Sequence, residues 1–81
     1  MQSEFEIIKD AVASVLPEEA GEITLRTRLI EDLGADSLEL FEILTVVEER
    51  QALHFPADAV NSIRTIADAV RLLEETEHGK R

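Results

Sequence analysis

A chain of 81 residues encloses a single hydrophobic core, and with 44 % hydrophobic residues but only three Phe and neither Trp nor Tyr, aliphatic side chains must fill it. The net charge of −10 argues against a nucleic-acid backbone or an anionic lipid surface as the main partner and leaves basic protein patches. Cysteine is absent, which removes disulfides, thiolate metal sites and thiol nucleophiles; with no membrane-length apolar run and no basic-then-apolar leader at Met1-Gln2-Ser3-Glu4, a soluble cytoplasmic monomer is expected.

Ser3 and Glu6 fit a capping box, and Phe5, Ile8, Val12, Val15 and Leu16 then recur at helical spacing until Pro17 interrupts them. This predicts a first helix with one apolar stripe. Between Pro17 and Asp36 the periodicity is lost, but Ile23, Leu25, Leu29, Ile30 and Leu33 remain. The long connection should therefore pack on the core, with a short helical turn around Leu29 to Leu33. A second helix begins at Asp36 or Ser37 and runs to about Ala52, free of Gly and Pro and rich in Leu and Glu. Pro56 then marks a break, Asp58 to Ile63 has room for one or two turns, and Thr65 with Asp68 opens a last helix carrying Ile66, Ala69, Val70 and Leu73. The tail 77–81 should fray. No strand-like alternation, repeat or low-complexity tract is visible. The expected fold is all-α, one domain over residues 1–81. It is a small four-helix bundle of three longer helices and a short third one, with a long packed loop between the first two.

Advancing about 100° per residue along the second helix gathers Leu40, Phe41, Ile43, Leu44 and Val47 on one arc, the expected core face. The opposite arc carries Leu38, Glu42, Thr45 and Glu49, with Glu39 and Glu48 toward its edges. It reads either as a docking surface or as an ordinary solvated face with one exposed leucine. At the helix start, in Asp32-Leu33-Gly34-Ala35-Asp36-Ser37-Leu38, Gly34 gives a flexible approach, Asp36 suits the N-cap, and Glu39 completes a capping-box-like pair. Ser37 is then surplus to capping, exposed in the first turn, with no His or Lys nearby in sequence to act as its base. Its hydroxyl reads as the acceptor of a group, or as a serine that shares the cap. A phosphate esterified there would meet the positive end of the helix dipole, opposed by Asp36. His54 and His78 are too few for a metal site, and Arg26 and Arg28 are expected to balance Glu18, Glu19, Glu22 and Glu31.

At these residues the sequence resembles the acyl carrier protein family, in which Asp-Ser-Leu at the start of the second helix presents the serine. The resemblance spans nearly the whole chain and implies that Ser37, beside Asp36, carries 4′-phosphopantetheine installed from coenzyme A by a phosphopantetheinyl transferase. The terminal thiol of that arm would hold acyl thioesters, most naturally those of fatty-acid synthesis. It further implies docking of acyltransferases, ketosynthases and related enzymes through basic patches on Asp36, Leu38, Glu39, Glu42, Thr45, Glu48 and Glu49, and an acyl pocket lined by Phe41, Leu44, Val47, Val60 and Ile63. The chain itself would be a carrier, not an enzyme. Departures from the family pattern are the large Phe41, the polar Gln51, Ala57 after Pro56, and Thr45 in place of a larger apolar side chain. These keep open a carrier of polyketide, aminoacyl or modified-lipid synthesis. An acidic helical adaptor without a prosthetic group is the rival from another class, and an enzyme using Ser37 as nucleophile lacks a base and an oxyanion arrangement.

Overall fold

The first helix, α1, spans Glu4–Val15 in the computed structural model, which describes residues 2–79, the side chain of Ala20 excepted. Ser3 Oγ accepts the Glu6 N–H at 3.2 Å and so supplies the cap that the sequence predicts. Before Pro17 the helix closes with a 2.7 Å bond from the Leu16 N–H to the Val12 carbonyl. Ile7, Ile8, Ala11 and Val12 form the buried stripe, whereas Phe5, Val15 and Leu16 only border it. A 3-10 turn follows at Pro17–Glu22. The second helix, α2, covers Ser37–Gln51, and the third, α3, covers Ile66–Gly79. Both pack against α1, which is the central element of the bundle.

Two expectations about these elements change. The short helix sought between Asp58 and Ile63 is a 3-10 turn at Ala59–Ser62, so the described residues form three α-helices and two 3-10 turns. The physical reason is local: Asp58 makes no side-chain cap, Ala59 and Asn61 bond to carbonyls three residues back, and Ser62 Oγ donates to the Ala59 carbonyl, which weakens its use in an α-helix. The last helix also continues through 77–79, where fraying was expected; residues 80 and 81 lie outside the described residues.

The long connection is held by backbone pairing that no periodicity announces. Leu29 N–H donates to the Arg64 carbonyl at 2.8 Å and Ile66 N–H to the Thr27 carbonyl at 2.9 Å, forming an isolated antiparallel bridge between Arg28 and Thr65. Ile23 and Leu29 are buried and Leu33 is half-buried, but Leu25 and Ile30 face solvent, contrary to the expectation that all five apolar residues pack. The turn around Leu29 to Leu33 forms through Asp32 N–H to the Arg28 carbonyl and Gly34 N–H to the Ile30 carbonyl, both at 3.0 Å. Arg28 clasps this turn shut. Its N–H donates to Asp32 Oδ2 at 2.8 Å and its Nη2 to Oδ1 at 3.0 Å, so its ion-pair partner is Asp32 and not the neighbouring glutamates.

At the head of α3, Asp68 Oδ2 accepts the N–H groups of Arg64 and Thr65 at 2.9 and 3.1 Å, and Thr65 Oγ1 accepts the Asp68 N–H at 3.1 Å. The Arg28 side chain, and to a lesser degree its N–H, holds the Asp32 carboxyl below the usual carboxylate range; the Arg64 N–H does the same for Asp68. Burial, together with the neighbouring Glu4 of α1, pushes the Glu77 carboxyl up. The two lowered aspartates contribute stability above their ordinary value of 3.8 that is lost as pH falls through their folded values. Glu77 acts in the opposite sense above its ordinary 4.5, where acidification relieves an unfavourable charge. The urea midpoint should therefore rise from pH 7 to about 5 and fall below about 4. Glu77→Gln should flatten the rise and Asp32→Asn the fall. A midpoint that declines monotonically from pH 7 in the wild type would contradict these assignments.

Candidate functional site: the start of the second helix

The approach to α2 is fixed residue by residue. Gly34 takes φ +74°, a left-handed conformation that strains any residue with a Cβ, and turns the chain out of the Arg28–Asp32 clasp. Ala35 is then buried and its N–H donates to the Leu29 carbonyl at 3.1 Å, so the next residue is delivered in a defined place. Asp36 follows in extended conformation as the N-cap. Its Oδ1 accepts the Glu39 N–H at 2.8 Å, while Glu39 Oε1 accepts the Asp36 N–H at 3.0 Å, the reciprocal box that the sequence predicts.

Ser37 is the first helical residue and is exposed. The chain has four serines. Ser3 Oγ accepts from Glu6 at 3.2 Å, Ser14 Oγ donates to the Asp10 carbonyl at 3.2 Å and accepts from Arg50 Nη2 at 2.9 Å, and Ser62 Oγ donates to the Ala59 carbonyl at 2.9 Å. The Ser37 hydroxyl alone among them makes no hydrogen bond among the described residues. With Asp36 occupying the Glu39 N–H, the amides of Ser37 and Leu38, in the first turn of the helix, have no acceptor among the described residues.

Around Ser37 the proposed docking residues divide in a way that spacing does not reveal. Leu38 is 68 % exposed, and Glu42 and Glu49 are exposed and without an ion pair among the described residues. Glu39 is committed to the capping box, and half-buried Thr45 donates its hydroxyl to the Phe41 carbonyl at 2.9 Å. Glu48 is also half-buried: its Oε2 accepts the Phe55 N–H at 2.7 Å and lies 3.9 Å from His54 Nδ1. No group of three His, Asp or Glu among the described residues is placed to hold a metal ion.

Phe41 is the main correction on this helix. Helical spacing assigns it to the core arc, yet it is 58 % exposed. The buried positions Leu40, Ile43, Leu44 and Val47 span an arc of about 100°, and Phe41 falls roughly 60° beyond its edge. The exposed ring closes a small cavity of about 70 Å³ bounded by Leu44, Thr45, Glu48, Phe55, Pro56, Ala57 and Val60. Of the expected pocket residues, Phe41, Leu44 and Val60 meet there, whereas Val47 and Ile63 are buried in the core and do not line it. Phe55 and Pro56 were missed as lining residues. The signal available was an aromatic residue beside a proline just after α2, too short a run to carry any periodicity.

The chain matches the family model of the phosphopantetheine attachment site over residues 6–73. It is 36 % identical over 70 residues to the acyl carrier protein of Helicobacter hepaticus, covering 86 % of this chain and 92 % of that relative. To the acyl carrier protein of Sulfurovum sp. (strain NBC37-1) it is 33 % identical over 70 residues, covering 86 % of this chain and 93 % of the relative. The prosthetic group that comes with this match is a covalently attached 4′-phosphopantetheine, and an exposed, uncommitted hydroxyl at a helix N-terminus fits its phosphodiester. By sequence match, helical fold and the geometry at the head of α2, this chain belongs to the acyl carrier protein family.

Proposed function

We propose that Ser37 carries the 4′-phosphopantetheine and that the chain presents acyl intermediates of fatty-acid synthesis to the enzymes that build them. The observation that carries the attachment site is the free Ser37 hydroxyl, beside three serines whose oxygens are engaged. Asp36 performs the capping, so esterifying Ser37 removes nothing the fold uses. The unpaired amides of the first turn and the helix dipole accommodate the phosphate charge next door. When bound, the arm supplies a thiol that holds acyl groups as thioesters. The cavity behind Phe41 takes the start of such a chain between α2 and the 53–60 segment.

The docking face in this reading runs from Asp36 and Leu38 through Glu42 and Thr45 to Glu49, with Glu39 and Glu48 at its edges. Exposed ion pairs contribute about 0.2–1 kcal/mol each, so several of them steer a basic partner without holding it, as repeated hand-off between enzymes requires. Leu38 adds an apolar contact beside the attachment point. The phosphopantetheinyl transferase, acyltransferases and ketosynthases are the partners this face serves.

Incubation with coenzyme A and a phosphopantetheinyl transferase should raise the intact mass of the wild-type chain by one phosphopantetheine, and leave Ser37→Ala unchanged. No gain with several such transferases would overturn the attachment site. Glu42→Lys and Glu49→Lys should each slow acyl transfer by a partner enzyme about two- to tenfold at low salt, less at high salt, with unaltered helical circular dichroism. Unchanged rates for both variants would show that the docking face lies elsewhere.

A further inference from the structure

Two of the three aromatic rings in the chain, Phe41 and Phe55, border the same small cavity beside α2, with a volume of about 70 Å³. A water molecule claims about 30 Å³ in the liquid and a methylene group takes up a similar space, so the cavity holds roughly two or three carbons of an acyl chain beyond its carbonyl. Counted at about 100° per residue from Ser37, the α2 residues that line it fall at about −20° for Leu44, 20° for Glu48, 40° for Phe41 and 80° for Thr45, so the cavity opens along the side of the helix that carries Ser37. Phe41, one turn beyond Ser37, is the first of these residues. Inward the space ends at Leu44 and Val60: Val47 and Ile63, the next residues on the same faces, are buried and line no part of it. The far wall is tied in place, because Glu48 holds the Phe55 N–H with Oε2 at 2.7 Å and the Leu53 N–H with its main-chain carbonyl at 3.1 Å. With packed core on one side and a bonded wall on the other, the half-solvated Phe41 ring is the boundary that a substitution moves without cutting into the core.

We propose that this chain shelters acyl groups only up to about four carbons, carbonyl included, and that Phe41 sets the limit. This rests on attachment at Ser37 and on the cavity taking the start of the acyl chain. The alkyl part of a butyryl group matches the space between Phe41, Leu44, Phe55 and Val60. Each further methylene finds packed side chains inward and stays outside, in solvent or against a partner enzyme. Carbons inside leave water and stabilise the folded chain, whereas carbons outside add nothing to its stability. Phe41 thereby determines specificity by the size of its ring. Valine at that position removes about four side-chain carbons from the mouth and makes room for a chain roughly two to four carbons longer. Leu38, also apolar and exposed on α2, lines no part of the cavity and has no such effect.

The test loads the whole chain with acetyl, butyryl, hexanoyl or octanoyl phosphopantetheine from the corresponding acyl-coenzyme A, confirms one arm per chain by intact mass, and reads Leu44 and Val60 methyl shifts by NMR and the urea midpoint. In the wild type both readouts should move from acetyl to butyryl and then level off, hexanoyl and octanoyl giving the butyryl values. Phe41→Val should keep moving through hexanoyl, while Leu38→Val should level off at butyryl like the wild type. Shifts and midpoints that keep growing to octanoyl in the wild type would overturn the limit. A plateau at butyryl in Phe41→Val, or an extended one in Leu38→Val, would overturn the assignment to Phe41. Loaded chains whose Leu44 and Val60 methyls ignore every acyl group would overturn the cavity reading, and the limit with it, and leave attachment at Ser37 standing. No mass gain would overturn attachment itself, and the limit falls with it.

Discussion

Two hydrogen bonds at the head of α2, from Glu39 N–H to Asp36 and from Asp36 N–H back to Glu39, determine where that helix begins and therefore which residue follows its cap. An N-cap exchange of this kind is worth about 1 kcal/mol, small in total but large for the choice of one register over the next. Were the helix to start one residue later, Ser37 would become the cap and its oxygen would be consumed by a main-chain amide. Because Asp36 fills that position, the serine is left with nothing to do inside the fold. The elements before it enforce the same outcome: the Arg28–Asp32 clasp, the left-handed Gly34 and the buried Ala35 deliver Asp36 to its place.

The acidic surface is not uniform, and its divisions follow from what each carboxylate touches. Glu42 and Glu49 face solvent and add to a long-range field that attracts basic surfaces. Glu39 is spent on the helix start, and Glu48 ties α2 to the segment that walls the cavity. A net charge of −10 on a chain of 81 residues also carries a cost in self-repulsion, visible locally where Glu77 of α3 approaches Glu4 of α1. The stripe Ile8, Val12, Ile43, Val47, Ile66 and Leu73 must offset it by burial, and each of these is almost wholly removed from solvent.

Local chemistry was legible in the sequence wherever a side chain acts within four residues of its own position. The caps at Ser3, Asp36 and Thr65, the arrest at Pro17 and the extent of α2 all belong to this class. So did the exposure of Ser37 and the outward face of Leu38, Glu42 and Glu49. What escaped depends on distant partners or on the width of a buried arc. Nothing in the periodicity indicates that Leu29 pairs with Arg64, that Glu48 reaches Phe55, or that a 3-10 turn replaces the short helix before α3. Phe41 was misplaced for a related reason: hydrophobic character assigned it to the core, while the packing of α2 on α1 buries a narrower arc and leaves the ring at the mouth of the cavity. The residues from Asp32 to Leu38 carry the resemblance to the acyl carrier protein family, and the relatives that match most of the chain show membership of it.

Attachment at Ser37 depends on one oxygen being unclaimed where three others are engaged, and fragment mass spectrometry of the loaded chain addresses that directly by locating the tether along the sequence. The prediction is phosphopantetheine on Ser37 and none on Ser3, Ser14 or Ser62. A tether found on any of those three, or retained by the chain after Ser37 is removed, would contradict it.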